Sequence, residues 1–471
     1  MLRRIISLAF AATLFVSGLF SCAYQEAAAP VFKSVSVHDP SIIKADDGYY
    51  YIYGSHMAAA RSLDLISWES ISKDANKGCT LFSDVQTELK EALSWAKTKT
   101  FWAPDVQKLN DGRYYFYYCT CEGSSPLSAL GVAVSDKPEG PYEDLGIFLR
   151  SGASGYNSTY YPNVVDPHTF FDNDGKLWMV YGSYSGGIFI LEMNPDTGFP
   201  MEGQGYGTKL LGKNHSRIEA PYILYSPETE YYYLFLSFGG LNANDGYNIR
   251  VCRSKYPNGP YEDALGQEMI KCGGRAGTFF NDADYVSYGV KLMGGYKFEL
   301  VDSDTNRFVS AFRSPGHNSA YYDSETGQYF IIFHTRFANS GESHSVRVHQ
   351  MYINDQGWPV VSPQRYAGED GTLVDGAKIE GNYKLLFHLR DINNKEHVSV
   401  LASLNADGTI TGAKKGVWTV TDGTNIHLTI DGKEYSARLH TAWDNNQQAW
   451  VTQFTGLDTE GAALWGVRYG E

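Results

Sequence analysis

The 471-residue chain is poor in basic residues, with 39 Lys and Arg against 53 Asp and Glu and a formal net charge of −14. A nucleic-acid surface needs clustered Lys and Arg to neutralise phosphates, so this balance argues against a nucleic-acid partner. It also argues against an acidic polysaccharide, although one basic cleft could escape the average. The charge therefore favours a neutral substrate.

Several catalytic motifs are missing from the sequence. It contains neither the HExxH motif of metalloproteases nor the GxSxG turn of serine hydrolases. The segment GTKLLGKN at residues 207–214 comes close to a phosphate loop, but Asn214 replaces the Ser or Thr that holds magnesium. The sequence thus argues against these two hydrolase classes and against nucleotide binding.

The chain has one long apolar run, and it lies at the N-terminus. Residues 5–20 follow Arg3 and Arg4, and the run has the length of a signal-peptide core rather than of a membrane span. We predict export, because this arrangement is typical of secretory signals. No other stretch is apolar enough to cross a membrane.

The apolar run ends in LFSC, and Cys22 follows a small residue there. This ending resembles the lipobox of bacterial lipoproteins, whose cysteine is lipidated and becomes the new N-terminus. We predict a lipoprotein signal over residues 1–22 and a tether over 23–31, with lipid as the only membrane contact. The protein would then be anchored at the bacterial cell surface or outer membrane. An ordinary cleaved signal, giving a periplasmic or secreted protein, is the alternative.

Helical periodicity is rare, and residues 83–96 (SDVQTELKEALSWA) are the main exception. Aromatic residues make up 14% of the chain, which has 35 Tyr and 48 Gly. This mixture suits short strands and tight turns, and it resembles that of carbohydrate-handling proteins. A β-rich protein with tyrosine-filled sheets and no such function fits the composition equally well.

One pattern occurs five times along the chain. Each copy has a polar or acidic residue, a short apolar strand, a polar turn and a second strand rich in Tyr and Phe. Such copies are predicted β-hairpins. The five segments are SVHDPSIIKADDGYYYIYGSH from residue 36, FWAPDVQKLNDGRYYFYYC from 101, NVVDPHTFFDNDGKLWMVYGSY from 163, SRIEAPYILYSPETEYYYLFLSF from 216 and PGHNSAYYDSETGQYFIIFHTRF from 315.

The polar residues that open the copies are Asp39, Asp105, Asp166, Glu219 and His317, separated by 66, 61, 53 and 98 residues. Repeats of this length predict a five-bladed β-propeller, with an insertion in the last interval. The first strand of each propeller blade lines the central channel, so these five residues should converge on the axis.

The propeller is predicted to span residues 32–370. The repeat disappears after the turn-rich segment GEDGTLVDG, and alternating strands with a DG hairpin turn follow. We therefore predict a separate all-β domain over residues 371–471, as a barrel or a sandwich. The whole protein belongs to the all-β class.

Three of the converging residues carry carboxyl groups: Asp39, Asp166 and Glu219. Hydrolysis of a glycosidic bond needs one protonated carboxyl to donate to the leaving oxygen and one ionised carboxylate to activate water or attack carbon. A third acid nearby can hold the two pKa values apart, because like charges disfavour each other's ionisation. The trio therefore suits glycoside hydrolysis.

The segments VHDPSI, NVVDPHTF, RIEAPYI and GHNS, in this order, resemble glycoside hydrolase family 43, a family of five-bladed β-propellers. The resemblance is greatest to its two-domain endo-α-1,5-L-arabinanases, which carry a C-terminal β-domain. It implies endo-acting, inverting cleavage of α-1,5-linked L-arabinofuranosyl bonds in plant cell-wall arabinan and arabino-oligosaccharides. We expect a monomer.

The resemblance also implies roles for single residues. Asp39 matches the general base, Glu219 the general acid, and Asp166 the third acid that orients the general acid and modulates its pKa. His317 matches a histidine that holds a metal ion, usually calcium, on the propeller axis with water completing the shell. A hydrogen-bonded core histidine is the alternative for His317.

Other residues are candidates for sugar contact. Trp102 could stack on a furanose ring or pack between blades, Asn163 resembles a sugar-binding position, and Ser183 and Tyr184 end a strand near the same mouth. His38 would line the subsite beside the base. Asp105 is interpreted as structural, holding a blade. Arg336 either faces substrate or pairs with an acid.

Three alternatives to endo-arabinanase activity fit parts of the sequence. An exo-acting α-L-arabinofuranosidase or β-xylosidase would use the same three acids, and only the loops around the cleft would differ. A non-catalytic surface glycan-binding protein is disfavoured because all three acids are present. A fructan hydrolase usually begins with an NDPNG-like segment, whereas this chain has VHDPSI.

Overall fold

The computed structural model describes residues 29–123, 126–308, 311–373 and 377–470. The predicted signal over 1–22, with Cys22, lies outside the described residues, as does most of the predicted tether. Within the described ranges, no helix is both long and apolar enough to span a membrane.

The only two α-helices in the described part of the chain are α1 (Val85–Glu88) and α2 (Lys90–Ala96). They confirm the helix predicted over 83–96. The carboxylate of Asp84 caps α1 by accepting the backbone N–H of Thr87.

The first three blades are four-stranded antiparallel sheets whose strands follow chain order. They contain β1 (Ser41–Lys44), β2 (Tyr50–Gly54), β3 (Ala58–Ser62), β4 (Glu69–Ser72), β5 (Asp105–Lys108), β6 (Tyr114–Glu122), β7 (Leu127–Ser135), β8 (Glu143–Arg150), β9 (His168–Phe171), β10 (Leu177–Ser183), β11 (Gly187–Met193) and β12 (Thr208–Leu211).

The fourth and fifth blades follow the same plan, but the fifth sheet is extended to six strands. Strand β23 (His397–Val398) pairs in parallel with β17 (Tyr296–Lys297), which joins β18 (Phe312–Asp323). These two sheets contain β13 (Ile218–Ser226), β14 (Tyr231–Phe238), β15 (Asn248–Ser254), β16 (Val290–Met293), β17 (Tyr296–Lys297), β18 (Phe312–Asp323), β19 (Gln328–Phe337), β20 (His344–Ile353), β21 (Pro359–Val361) and β23 (His397–Val398).

The remaining strands close into an eight-stranded barrel. The predicted five-bladed propeller is therefore confirmed, and the C-terminal all-β domain is a barrel rather than a sandwich. The barrel strands are β22 (Gly381–Phe387), β24 (Val400–Leu404), β25 (Thr409–Gly412), β26 (Gly416–Val420), β27 (Asn425–Ile430), β28 (Lys433–Asp444), β29 (Ala449–Asp458) and β30 (Ala463–Tyr469).

Buried tyrosines on the second strand of a blade donate hydrogen bonds to the adjacent blade. Tyr117 is fully buried in β6, and its hydroxyl donates to the carbonyl of Gly198 in the third blade at 3.1 Å. Tyr50 closes the ring, because its hydroxyl donates to the Asp323 carboxylate of the fifth blade at 3.0 Å. Each such residue combines a large apolar contact with a satisfied polar end.

Asp105 joins three inner strands at the axis. Its carboxylate accepts the Ser41 hydroxyl of β1 at 2.5 Å, and both the backbone N–H and the hydroxyl of Thr169 in β9. Asp105 is 1% exposed, so its oxygens are occupied by protein donors. These contacts agree with the structural interpretation made from the sequence.

The barrel packs against the last two blades through aromatic rings and one buried ion pair. Trp465 of β30 lies edge-on to Tyr296 at 5.0 Å between ring centroids. Nearby, Lys384 Nζ of β22 lies 2.8 Å from both carboxylate oxygens of Asp304, and both side chains are almost completely buried. The two charges compensate each other across the junction of propeller and barrel.

We expect Asp304→Asn to lower the free energy of unfolding by about 3–5 kcal/mol, because it leaves the Lys384 ammonium buried without a counter-charge. Chemical denaturation measures the change. The control is Asp431→Asn, which removes the exposed pair with Lys414 and should leave the free energy of unfolding almost unchanged, because water already solvates both charges. Equal losses for the two variants would contradict the importance of the buried pair.

Candidate active site

Three polar residues at the openings of the inner strands, and the alanine next to a fourth, share an unusual backbone geometry. Asp39 and Asp166 precede β1 and β9 with φ of 57° and 55°, and His317 in β18 has a φ of 44°. Ala220, next to Glu219 in β13, has a φ of 56°. Left-handed backbone is costly for residues with a Cβ and is concentrated at functional sites.

Local irregularity accompanies two of these positions. The pairing register shifts after Glu219 in β13 and around His317 in β18. Such bulges redirect a side chain away from the regular alternation of a strand. Together with the left-handed residues, they turn the side chains toward the centre of the ring.

Asp39 is held by three side chains. His38 Nδ1 lies 2.7 Å from one carboxylate oxygen, which also accepts the Ser55 hydroxyl at 2.5 Å. His317 Nδ1 lies 3.1 Å from the other oxygen. Burial opposes ionisation, but His317 and His38 hold the pKa of Asp39 well below its usual range. The site therefore keeps Asp39 ionised.

The pKa of Glu219 is shifted in the opposite direction to that of Asp39. The residue is 7% exposed, and burial raises the pKa of its carboxyl above the ordinary value. His317 and two hydrogen bonds moderate this rise: the Ser183 and Tyr247 hydroxyls each donate to one carboxyl oxygen at 2.9 Å. Glu219 is thus both firmly oriented and inclined to keep its proton.

Asp166 lies beside Glu219, since its carboxyl accepts the backbone N–H of Ala220 at 3.2 Å. Burial raises the pKa of Asp166 to about 8, and the charges of Glu219 and Asp39 act in the same direction. Two neighbouring acids with raised pKa values cannot both ionise easily. The ionisation of Asp166 and that of Glu219 are therefore coupled.

A cavity of about 550 Å³ opens at Glu219 and is called the catalytic cleft below. Four of the five predicted sugar-contacting residues line it: Trp102, Asn163, Ser183 and Tyr184. All four face the space that a substrate would occupy, and direct sugar binding by each of them stays a prediction.

Some of these side chains also have structural partners. Ser183 supports Glu219, Tyr184 donates its hydroxyl to the carbonyl of Gly239 at 2.9 Å, and Asn163 Oδ1 accepts the Ser128 hydroxyl at 2.6 Å. Trp102 packs partly into the core between the second and third blades. Both alternatives weighed for Trp102 are therefore compatible with its position.

His38 is placed behind the base rather than among the lining residues of the catalytic cleft. Its ring stacks on His334 at 4.1 Å between centroids, and its Nε2 lies 3.2 Å from Arg336 Nη2. Arg336 also pairs with Glu342 at 2.6 Å. A chain of contacts from Glu342 through Arg336 and His38 thus fixes the orientation of Asp39.

Sequence reasoning missed Ser55, Tyr247 and His334 as partners of the acids. His334 accepts the backbone N–H of Asp39 at 3.2 Å, and it lies in the segment FHTRF that already drew attention through Arg336. Ser55 ends the first repeat in YGS, as Ser183 does in the third, so the repeat offered a signal for it. Tyr247 belongs to no motif, and only the folded chain reveals its contact with Glu219.

The metal site implied at His317 can be tested against its contacts. His317 Nδ1 faces Asp39, whereas Nε2 has no hydrogen-bond partner among the residues that the structure describes. Metal-binding histidines commonly donate their second ring N–H to a carboxylate. The imidazole therefore fits a single nitrogen ligand, with water supplying the oxygen ligands that calcium prefers.

A second group could in principle hold an ion, because ligand atoms of His38, Asp39 and His334 lie within 4.8 Å of one another. However, Nδ1 of His38 and Nδ1 of His334 already contact Asp39. Their contacts are those of residues that position the carboxylate, and His317 is the better candidate ligand.

The site combines a carboxylate whose pKa is lowered, Asp39, with an acid whose pKa is raised, Glu219, and Glu219 lines the cleft. It can therefore accept one proton and donate another in the same reaction.

Comparison with known proteins supports this reading. Residues 28–283 match the family described as glycosyl hydrolases family 43, and residues 363–466 match a C-terminal lipocalin-like domain. The extracellular endo-α-(1→5)-L-arabinanase 2 of Bacillus subtilis is 53% identical over 444 residues, which cover 93% of this chain and 94% of that protein.

Two solved structures are similar over almost the whole chain. A family 43 glycoside hydrolase from Bacillus licheniformis has a TM-score of 0.90 at 53% identity, and the match covers 94% of this chain and all of that one. The endo-1,5-α-L-arabinanase of Thermotoga petrophila has a TM-score of 0.88 at 46% identity, with the same coverage.

Proposed function

Since this chain belongs to glycosyl hydrolases family 43, we propose that it is an exported glycosidase that cleaves α-1,5-linked L-arabinofuranosyl bonds inside arabinan chains. The observation that carries the proposal is the division of roles between two buried acids: His38 and His317 hold Asp39 ionised, whereas Glu219 lines the catalytic cleft and burial raises its pKa. Relatives named as endo-arabinanases, similar over both domains, support arabinan and arabino-oligosaccharides as substrates.

In the proposed reaction, Glu219 donates its proton to the glycosidic oxygen as the bond to the anomeric carbon breaks. Asp39 accepts a proton from a water molecule whose oxygen forms the new bond to that carbon from the opposite face. Inversion requires room for this water, which corresponds to roughly 6.5–9.5 Å between the two carboxyl groups. Asp166 holds the backbone beside Glu219 through the N–H of Ala220, and because the ionisation of the two acids is linked, it also modulates the pKa of Glu219.

We also propose that His317 holds one calcium ion, with water as its other ligands. The bound ion would favour the ionised forms of nearby carboxylates. Elemental analysis of the purified protein should find about one calcium per chain. His317→Ala should lose it, whereas Ser183→Ala should keep it. Equal calcium in the wild type and in His317→Ala would contradict this assignment.

The relatives are named as extracellular proteins, which supports export of this chain. We further propose that Cys22 carries a lipid and anchors the enzyme to the bacterial surface as a monomer. Cys22→Ser would then release the enzyme into the aqueous phase of a detergent partition. Wild-type enzyme in the aqueous phase would indicate a free secreted form.

Glu219→Gln should lower kcat on linear arabinan by about 10²–10⁴-fold, because the amide cannot donate the proton that the leaving oxygen needs. Chromatography of the products should show a ladder of short arabino-oligosaccharides for the wild type and almost none for the variant. The control is Glu325→Gln, an exposed residue whose loss should leave the ladder intact.

Different products would change the proposal. Release of arabinose monomers alone would indicate an exo-acting enzyme on the same scaffold. A wild type inactive on arabinan, xylan and arabinoxylan would contradict glycosidase activity and favour a glycan-binding protein.

Tyr247→Phe should shift the alkaline limb of the kcat/KM pH profile upward by about one pH unit. The Tyr247 hydroxyl stabilises ionised Glu219, so its removal raises the pKa at which the acid loses its proton. The control is Tyr53→Phe, which removes a buried hydroxyl that donates to Pro138 in the propeller body. A downward or absent shift in Tyr247→Phe would contradict the role of Glu219 as the proton donor.

A further inference from the structure

A second cavity, of about 220 Å³, lies where the fifth blade meets the barrel, and it is called the junction cavity below. It shares no lining residue with the catalytic cleft. The volume is well above what one water needs and is sufficient for a small organic ring. Aromatic side chains form much of its wall: Phe32, Phe308, Phe312, Phe337, Tyr296 and Trp443.

The same lining includes three cations, Lys297, Arg347 and Arg365, and no Asp or Glu. None of the three forms an ion pair with a described residue. The chain has 53 acidic residues, and eight of its other arginines do pair with a carboxylate. The cations of the junction cavity therefore lack the counter-charge that is usual elsewhere in this molecule.

The two guanidinium groups are oriented by aromatic rings and by hydrogen bonds, since Arg347 Nη1 donates to the Ser345 hydroxyl and to the Val346 carbonyl, both at 2.8 Å. Arg365 stacks on Phe32 at 4.4 Å, and Arg347 lies 4.9 Å from the centroid of Phe337. Arg365 donates from Nη1 to the Ser34 hydroxyl, but its buried Nε has no partner. Burial lowers the pKa of both groups, and Arg347 adds to the effect on Arg365, as expected for cations without an anion.

We propose that the junction cavity binds a carboxylate-bearing sugar ring, such as one uronic acid residue of an acidic polysaccharide. A carboxylate is the planar anion that matches the guanidinium fork. The aromatic walls suit the apolar face of a ring, a feature that inorganic anions lack. The chain as a whole is negatively charged, but the lining of the junction cavity is positive because it contains three cations and no Asp or Glu.

Such a site would tether the enzyme to an acidic polysaccharide while the catalytic cleft acts on a neutral chain. The proposal does not depend on the chemistry of Asp39 and Glu219, since the two cavities have separate linings. Its failure would leave the proposed hydrolysis of arabinan untouched, and the reverse also holds.

The test is isothermal titration calorimetry of the full-length enzyme with trigalacturonic acid. We expect saturable binding that weakens with salt and that falls about tenfold or more in Arg365→Gln, since one charged hydrogen bond is lost. The matched control is Arg253→Gln. Arg253 also stacks on an aromatic ring, Trp358 at 4.1 Å, but donates to backbone carbonyls and lines neither cavity.

Phe308→Ala is a second variant that should fold normally, because Phe308 is 94% exposed. It should weaken trigalacturonate binding while leaving the hydrolysis of linear arabino-oligosaccharides unchanged. No binding to the folded wild type, or equal losses in Arg365→Gln and Arg253→Gln, would overturn the proposal. Inorganic phosphate that binds as tightly as the sugar, with no effect of Phe308→Ala, would replace it with a simple anion site.

Discussion

The contact between His317 and Asp39 is the interaction on which the site depends. Burial alone would push Asp39 toward its neutral form, yet the imidazole, 3.1 Å away, keeps the carboxylate ionised. Burial raises the pKa of Asp166 and of Glu219, and the charge of Asp39 adds to this rise whereas His317 opposes it. Burial and the contact with His317 therefore act together to divide the three acids into a base and proton-retaining partners, which is the division that acid–base hydrolysis requires.

The propeller makes this arrangement possible because it brings distant residues to one axis without any of them being near in sequence. Each blade contributes a short inner strand, and buried tyrosine hydroxyls connect adjacent blades, as Tyr117 does to Gly198. A rigid ring is needed, since left-handed backbone at Asp39 and Asp166 is stable only where the surrounding structure imposes it. Stability and catalysis are thus coupled through the same strands.

Much of the scaffold could be predicted because it is encoded locally. Turns such as NDG and DNDG need Gly112 and Gly175 at φ of 81° and 80°, and alternating apolar residues specify the strands on either side. The anchors followed from their place at the start of each repeat. The parallel pairing of β17 with β23 was not predictable, because the two strands lie about a hundred residues apart and each is two residues long.

The site was less predictable than the scaffold. Motifs identified the acids, but their partners come from tertiary contacts: Tyr247 reaches Glu219 from a loop without a motif, and Ser183 supports Glu219 as well as lining the cleft. The junction cavity could not be predicted from the sequence either, because two of its lining residues, Phe32 and Trp443, lie near opposite ends of the chain. The three cations belong to the propeller, and the barrel adds Trp443, Asn445 and Asn446 to the wall, so the two domains form this cavity together.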